Sequence, residues 1–385
     1  MTDKFELIAP CHFGMEAVLK KEIFDLGYDV TRVSDGRVYF EGDKDAIAYA
    51  NVFLRTAERI MINVGEFKAE TFEELFQGTK ALEWEAYIPE DAKFNVVKAA
   101  SVKSKLFSPT DIQKIMKKAM VERLGAFYGR RTFEETGIEF GIRVMINKDI
   151  VSVGLDTTGT SLHKRGYRKL TAQAPIAENL AAAIIMLSPW REDRILVDPF
   201  CGSGTFPIEA ALIGANIAPG MNRKFSAMEW THIIDKSSWK DCKEDARERI
   251  HITDKMDIQG YDIDPQMIEI ARENARIAGV DKYIHFQTRG VDQLSHHKKY
   301  GFVITNPPYG ERLMDKESVQ EIYKTLGERY KALDSWSMYM ITSYQDAEND
   351  IGRKADKNRK IYNGMMKTYL YQFMGPKPPR RNEEH

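Results

Sequence analysis

The chain has 385 residues, of which 43% are hydrophobic, and this is enough for two or three domains with cores of their own. It carries 56 Lys and Arg against 57 Asp and Glu, so any nucleic-acid binding must come from local basic patches. Its apolar runs are too short to span a membrane, and its cysteines, Cys11, Cys201 and Cys242, are too far apart for a disulfide framework or a Cys-x-x-Cys metal site. We therefore expect a cytoplasmic protein with no metal and no membrane partner.

The first 60 residues predict a small α+β unit. Residues 5–8 are strand-like, and a helix over 15–26 ends at Gly27. The Asp35-Gly36 pair is typical of a hairpin turn, and a second helix is predicted over 45–55. This strand-helix-strand-strand-helix order resembles a ferredoxin-like unit.

Local positive charge characterises the next part of the chain. Between residues 93 and 118 the only acid is Asp111, and a helix is predicted to begin after Ser108 with one apolar face and one lysine face. A second basic stretch spans 163–169. Lysine and arginine contacts to phosphates position a nucleic acid without reading its sequence, although a solvated helix face is the alternative. The predicted nucleic-acid contacts, which the family resemblance described below assigns to RNA, are Lys98, Lys103, Lys105, Lys114, Lys118, Lys164, Arg165 and Arg168.

A short apolar strand at 194–197 leads to Asp198 and a loop with Gly202 and Gly204. An apolar helix over 206–217 follows, as in the first crevice of a doubly wound sheet. Asp198 is placed to pair with the cationic amino group of a methionine moiety, whereas the alternative is a plain tight turn. The loop lacks the Lys-Ser/Thr ending of a phosphate-binding P-loop.

Two further strands end near acids. Asp262 follows the second strand and is expected to hold a ribose diol by hydrogen bonds. Asp264 is a weaker candidate because an acid before a proline is also typical of a helix N-cap. Asp292 follows the third strand and is placed to accept from an adenine amino group, unless it is simply an exposed loop acid.

The fourth strand, 301–305, delivers Asn306, Pro307, Pro308 and Tyr309. An aromatic amino group is a poor nucleophile because its lone pair is delocalised into the ring. The Asn306 side-chain oxygen and the Pro307 carbonyl can accept its hydrogen bonds and free the lone pair, while Tyr309 offers a face for stacking an extruded base. The alternative is a proline-rich turn with a packing tyrosine.

Two other segments have less specific patterns. Residues 219–255 separate the first helix of this half from its second strand, and either a lid or a surface insertion fits them. A terminal hairpin is predicted around 362–365, and residues 376–385 are polar, proline-rich and expected to be disordered.

The motifs at 198–206, Asp262, Asp292 and 306–309, with the stretches 156–159, 163–168 and 174–180, resemble the bacterial THUMP-domain RNA methyltransferases, whose members are often labelled N6-adenine-specific DNA methylases. The similarity is greatest to enzymes that form N2-methylguanine in 23S ribosomal RNA. The resemblance implies an α/β chain with a class I, Rossmann-like methyltransferase sheet preceded by α+β ferredoxin-like and THUMP domains. The implied domains are 1–60 ferredoxin-like, 61–165 THUMP, 166–375 methyltransferase and a tail at 376–385.

The resemblance also implies a function and a site. The expected activity is S-adenosylmethionine-dependent methylation of guanine N2 in 23S rRNA or its precursor particle, and the expected catalytic residues are Asn306, Pro307 and Tyr309. The expected cofactor-binding residues are Asp198, Phe200, Gly202, Gly204, Thr205, Asp262, Asp264, Asp292 and Asn306. An N6-adenine methyltransferase of DNA or RNA, and a non-catalytic RNA-binding protein with a methyltransferase fold, remain alternatives.

Overall fold

The computed structural model describes residues 4–168, 175–251, 253–309, 316–363 and 366–379. Predictions that involve Lys169, Ala174, the 364–365 turn and the tail at 380–385 lie outside these ranges. The chain divides into two compact units. Unit 1 comprises residues 1–11, 20–162 and 220–245, and unit 2 comprises residues 12–19, 163–219 and 246–385.

The N-terminal elements alternate between strands and helices. In chain order they are β1 (Phe5–Pro10), α1 (Glu16–Asp25), β2 (Val30–Ser34), β3 (Arg37–Gly42), α2 (Lys44–Phe53), β4 (Met61–Lys68), α3 (Phe72–Ala81), β5 (Lys93–Val102), α4 (Pro109–Tyr128), β6 (Glu139–Asn147) and β7 (Ile150–Asp156). Ser108 caps α4 by accepting from the Asp111 amide, and Pro109 occupies the first turn, as the sequence predicted.

One continuous sheet runs through unit 1. Across the described residues it has seven strands in the order β2-β3-β1-β4-β7-β6-β5. Strands β1–β3 come from the predicted ferredoxin-like part, β4 begins directly after it at Met61, and β5–β7 come from the predicted THUMP part. The pairing of β4 with β7 joins the two parts, so they share one sheet rather than two separate ones.

The C-terminal elements form a second α/β layer structure. They are α5 (Glu178–Leu187), β8 (Leu196–Asp198), α6 (Thr205–Gly214), α7 (Lys236–Glu248), β9 (Ile258–Asp262), α8 (Pro265–Ala278), β10 (Ile284–Thr288), β11 (Phe302–Thr305), α9 (Lys316–Ala332), β12 (Ser337–Thr342), α10 (Ala347–Ile351), β13 (Lys357–Asn363) and β14 (Met366–Phe373).

The sheet of unit 2, over the described ranges, has the order β10-β9-β8-β11-β12-β14-β13. The first five strands in this order are parallel, and β14 is antiparallel to both of its neighbours. Apolar residues cover both faces of the sheet in two core clusters, as expected for parallel strands flanked by helices. This confirms the predicted doubly wound fold with a terminal antiparallel hairpin.

Two segments do not belong to the same unit as their neighbours in the sequence: residues 12–19 belong to unit 2, and residues 220–245 belong to unit 1. Met15 and Val18 lie in the core of unit 2, where His12 Nε2 lies 3.2 Å from the Asn179 side-chain oxygen. Conversely, Trp230 is fully buried in unit 1, where it stacks on Phe140 with ring centroids 4.5 Å apart. A lid or a surface insertion was predicted for residues 219–255. Residues 220–245 of this segment are part of the packing of unit 1, and residues 246–255 belong to unit 2.

Candidate methyltransferase site

The carboxyl ends of three adjacent parallel strands bring the predicted site together. In the register of the sheet, β8 pairs with β9 through Asp198 and Gly260, and with β11 through Val197 and Val303. Asp198, Asp262 and Thr305 therefore end neighbouring strands at the same edge. This is the edge at which ligands bind in open α/β sheets.

Asp198 is buried at the centre of this edge, with 1% of its surface exposed. Its Oδ1 accepts a hydrogen bond from the Thr305 hydroxyl at 2.6 Å and from the Phe200 amide at 3.1 Å. Burial raises the pKa of this carboxyl to about 7, although both hydrogen bonds act in the opposite direction. A carboxylate held in this way would be stabilised by a cation beside it.

The glycine loop after Asp198 has two glycines with different roles. Gly204 has a φ of 87°, and a Cβ added there would lie 3.1 Å from Ala271 of α8 and 3.1 Å from the Phe286 ring, so this glycine permits close packing. Gly202 has a φ of 50°, and a Cβ added there would have no atom of the described residues within 4 Å. Open space beside Gly202 leaves room for a ligand close to the backbone. Thr205 then begins α6 and is buried.

Asp262 fastens the glycine loop to the neighbouring strand. One carboxylate oxygen accepts from the Gly202 amide at 3.0 Å, and the other accepts from the Asp264 amide at 3.0 Å. The two carboxylate oxygens together have more lone pairs than the neighbouring backbone amides use, so the side chain can still accept from a ligand hydroxyl. Asp264 caps α8 by accepting from the Gln266 amide at 2.8 Å, which is the alternative that the sequence left open. Its other carboxylate oxygen is not used by this cap, so Asp264 stays a predicted cofactor contact.

Asp292 and a residue that the sequence analysis missed flank Gly290. A Cβ added to Gly290 would lie 2.2 Å from Asp292 Oδ1 and 3.6 Å from the Ile263 side chain, so both side chains surround this glycine. Asp292 is exposed, and Ile263 is 77% exposed although it follows Asp262 directly. An acceptor beside an exposed apolar side chain suits the edge and face of an adenine ring. The sequence signal that could have identified Ile263 is its position as an apolar residue between two acids, Asp262 and Asp264.

The Asn306–Tyr309 segment follows β11 directly. Asn306 Oδ1 is buried, and among the described residues it has no hydrogen-bond partner. Pro307 is buried, and Pro308 and Tyr309 are half-buried. An unpaired buried acceptor costs about 1–3 kcal/mol, so its presence is expected where a ligand supplies the missing donor. The next residue of the loop, Gly310, lies outside the described ranges.

The lysines predicted to contact RNA are exposed. Lys98 lies within β5, Lys103 directly follows β5, Lys114 and Lys118 lie on α4, and all four belong to unit 1. Lys105 is exposed as well but forms an ion pair with Glu70. Lys164 is exposed in unit 2.

The two predicted arginines lie elsewhere, in the interior of unit 2. Arg165 pairs with the fully buried Glu209 at 3.3 Å, and Tyr167 donates to the same carboxylate. Arg168 donates to the Thr205 hydroxyl at 2.6 Å, at the start of α6. Side chains committed to buried partners are not available to phosphates. We therefore correct the prediction by removing Arg165 and Arg168 from the RNA-contacting set.

The described residues contain no cluster of His, Cys, Asp or Glu suited to hold a metal ion. No helix in the described part of the chain is long and apolar enough to cross a bilayer.

A doubly wound sheet with a terminal antiparallel hairpin, a glycine loop between two acids and an Asn-Pro-Pro-Tyr segment defines a class I methyltransferase. Known protein families identify the family within this class. The family of RMKL-like methyltransferase domains matches residues 165–372, the RlmL ferredoxin-like domain matches 6–61 and the THUMP domain matches 69–156. The chain belongs to this RMKL-like methyltransferase family.

Three relatives extend the comparison over nearly the whole chain. A Bacillus subtilis (strain 168) protein named "Putative RNA methyltransferase YpsC" is 47% identical over 99% of this chain and 98% of its own length. The crystal structure of "a possible methylase" from Clostridium difficile 630 is 50% identical, with a TM-score of 0.93 and coverage of 98% and 100% of the two chains. "SMU.472, a putative methyltransferase complexed with SAH" is 47% identical, with a TM-score of 0.91 and the same coverage.

Proposed function

We propose that this protein transfers a methyl group from S-adenosylmethionine to an exocyclic amino group of a base in RNA, with guanine N2 of 23S ribosomal RNA as the substrate. The observation that carries the proposal is the buried, unpartnered Asn306 Oδ1 at the end of β11, among the residues that the structure describes. Family membership and the THUMP match support an RNA methyltransferase. The choice of guanine rests on the resemblance of the sequence to enzymes that form N2-methylguanine in 23S ribosomal RNA.

The chain's own residues fit this cofactor. Asp198 is a buried carboxyl that would pair with the methionine ammonium, and Asp262 has lone pairs left for the ribose hydroxyls. Open space beside Gly202 accommodates the cofactor backbone, while Asp292 and Ile263 offer an acceptor and an apolar face to adenine. The proposed set is completed by Phe200, Gly204, Thr205, Asp264 and Asn306. The SAH complex of the relative SMU.472 supports the choice of cofactor. S-adenosylmethionine supplies an electrophilic methyl group.

The residues at 306–309 act on the base. Asn306 Oδ1 and the Pro307 carbonyl accept hydrogen bonds from the target amino group, which makes its lone pair available for attack. The prolines restrict the backbone so that both acceptors keep their direction. Tyr309 stacks on the extruded base. A strong general base is unnecessary because a methylated, cationic amine loses its proton readily to water.

The RNA-contacting set that we propose is Lys98, Lys103, Lys105, Lys114, Lys118 and Lys164, all of which are exposed. We also propose the domain boundaries 1–60, 61–165 and 166–375, with residues 220–245 packed in unit 1 although they lie inside the third range. Deleting the N-terminal half would not test the role of these lysines, because Met15 and Val18 belong to the core of unit 2. Charge substitutions are the cleaner perturbation.

The function is tested with labelled S-adenosylmethionine, an unmodified 23S rRNA transcript and a DNA copy of the same sequence. We expect label in RNA alone, and N2-methylguanosine on nucleoside analysis. Asn306→Ala should lower kcat by roughly 100-fold or more, since the contact strengthens in the transition state, with little change in RNA affinity. The same substitution at the exposed Asn349 is the matched control. Methyladenosine as the product would replace guanine by adenine, and full activity of Asn306→Ala would refute the mechanism.

A further inference from the structure

The terminal hairpin presents a basic and aromatic surface at the same edge of the sheet as the candidate site. β13 is antiparallel to β14, and β14 is antiparallel to β12, so β13 runs in the direction of β11 and β12. Through the register, Thr305 is level with Met340, Tyr371 and Asn358. Residues beyond Asn358 in β13 therefore extend toward the side on which Asn306–Tyr309 lies.

The lateral separation follows from the strand order. Between β11 and β13 stand β12 and β14, and neighbouring strands are about 4.8 Å apart, so β13 lies about 14 Å from β11. A strand of RNA with one base in the Asn306 pocket would reach β13 within a few nucleotides. The hairpin is thus placed to contact the neighbours of the target nucleotide.

Lys360, Tyr362 and Lys367 form what we call the hairpin patch. Tyr362 and Lys367 are directly opposite each other across the two strands, and Lys360 is two residues before Tyr362, so the three side chains share one face. The Lys360 ammonium lies 5.0 Å from the centroid of the Tyr362 ring. Both lysines are exposed, and Tyr362 is 37% exposed.

The charge of the hairpin patch is not neutralised. Neither Lys360 nor Lys367 forms an ion pair with a carboxylate of the described residues. From residue 353 to 369 the sequence has six basic residues and a single acid, Asp356. That acid is already paired with Arg353 at 2.8 Å. An uncompensated basic surface on an edge strand, next to an exposed aromatic ring, is complementary to a polyanion that carries flat bases.

We propose that the hairpin patch is an RNA-contact surface of the catalytic unit, in which Lys360 and Lys367 bind phosphates and Tyr362 stacks on an unpaired base beside the target nucleotide. This inference rests on the proposed function for the identity of the polymer. It adds a second contact, separate from the lysines of unit 1. The hairpin patch holds the single strand next to the site after the target base has left its stack.

The test measures RNA affinity, KM and kcat for Lys360→Gln and Lys367→Gln with the 23S rRNA transcript. The matched control is Lys331→Gln. Lys331 is exposed, forms no ion pair within the described ranges, and lies in the last turn of α9, near the opposite edge of the sheet where β12 begins. We expect each hairpin variant to weaken RNA binding and to reduce the slope of log affinity against log salt by about 0.7, as for one lost phosphate contact on a single strand. Lys331→Gln should change neither quantity.

Tyr362 separates stacking from charge. Tyr362→Ala should raise the KM for RNA by roughly 5- to 150-fold, as expected for one stacked base, while Tyr362→Phe keeps the ring and should stay within about twofold of the wild type. kcat at saturating RNA and the affinity for S-adenosylhomocysteine should not change in any of these variants. A merely structural role of Tyr362 would instead lower the thermal unfolding temperature and the cofactor affinity together.

The outcomes distinguish this inference from the proposed function. Unchanged RNA affinity and salt slope in both lysine variants, while the wild type methylates the transcript, would refute the hairpin patch alone. Loss of RNA affinity in these variants, with no methyl transfer by the wild type, would refute the proposed activity and support the patch. A wild type that binds no RNA at all would refute both.

Discussion

Asp198 should make cofactor binding depend on pH. Its pKa is raised from an ordinary value of 3.8 to about 7, which corresponds to about 4 kcal/mol in favour of the protonated form on folding. This contribution to the free energy of unfolding is complete below pH 4 and is lost as the pH rises through 7. Pairing with a ligand ammonium requires the ionised form, so cofactor affinity should increase over the range in which this stability falls.

The size of the effect follows from the pKa. If only ionised Asp198 accepts the ammonium, the apparent Kd is multiplied by about 33 at pH 5.5 and by about 2 at pH 7, an improvement in affinity of about 16-fold. Isothermal titration calorimetry with S-adenosylhomocysteine measures it. Asp198→Asn should bind more weakly and lose this slope, although Asp262, whose pKa is also raised by burial, contributes a slope of its own in both proteins.

Two results would contradict this account. A wild-type affinity that is constant between pH 5.5 and pH 7 would mean that Asp198 does not face a cation. A slope that is equally steep in Asp198→Asn would assign the titration to another carboxyl, with Asp262 the first to examine.

Three further substitutions test neighbouring contacts. Asp262→Ala leaves the Gly202 amide without its acceptor as well as removing a ribose contact, so calorimetry should show a loss of affinity for S-adenosylhomocysteine of about 1–3 kcal/mol; unchanged binding would remove Asp262 from the site. Thr305→Val removes the donor that lowers the pKa of Asp198, so the midpoint of the pH profile should move above 7, and Thr305→Ser should restore it; identical profiles would show that the 2.6 Å hydrogen bond does not control the carboxyl. Tyr309→Ala should impair capture of the target base and raise the KM for RNA, whereas Tyr309→Phe should be tolerated; equal kinetics of the two variants would speak against stacking.

The start of α4 shows what a local sequence signal can predict, and the pairing of distant segments shows what it cannot. Ser108 and Pro109 set the start of α4 in the sequence and in the structure, because an N-cap and a proline at the first turn act within a few residues of chain. No such local signal indicates that β4 pairs with β7, or that Trp230 packs against Phe140. These contacts join segments about 90 residues apart, and only the folded chain brings them together.

Arg165 and Arg168 illustrate the same limit for charge. In the sequence they belong to a basic stretch with Lys164, and all three have the same expected role. In the structure Lys164 is exposed, while both arginines point to buried partners. Charge is a property of the residue, but exposure depends on what the rest of the chain packs around it.

The sequence by itself determined the chemistry of the candidate site, since the glycine loop, the acids and the Asn306–Tyr309 segment follow predicted strands whose carboxyl ends must share one edge of a parallel sheet. Only the tertiary structure decided which of these side chains are already occupied. It showed that Asp264 caps a helix, that Asp262 also holds the Gly202 amide, and that the buried oxygen of Asn306 has no partner among the described residues. Hydrogen-bond pairing depends on distances between segments far apart in the chain, and the spacing of residues along the chain does not contain those distances.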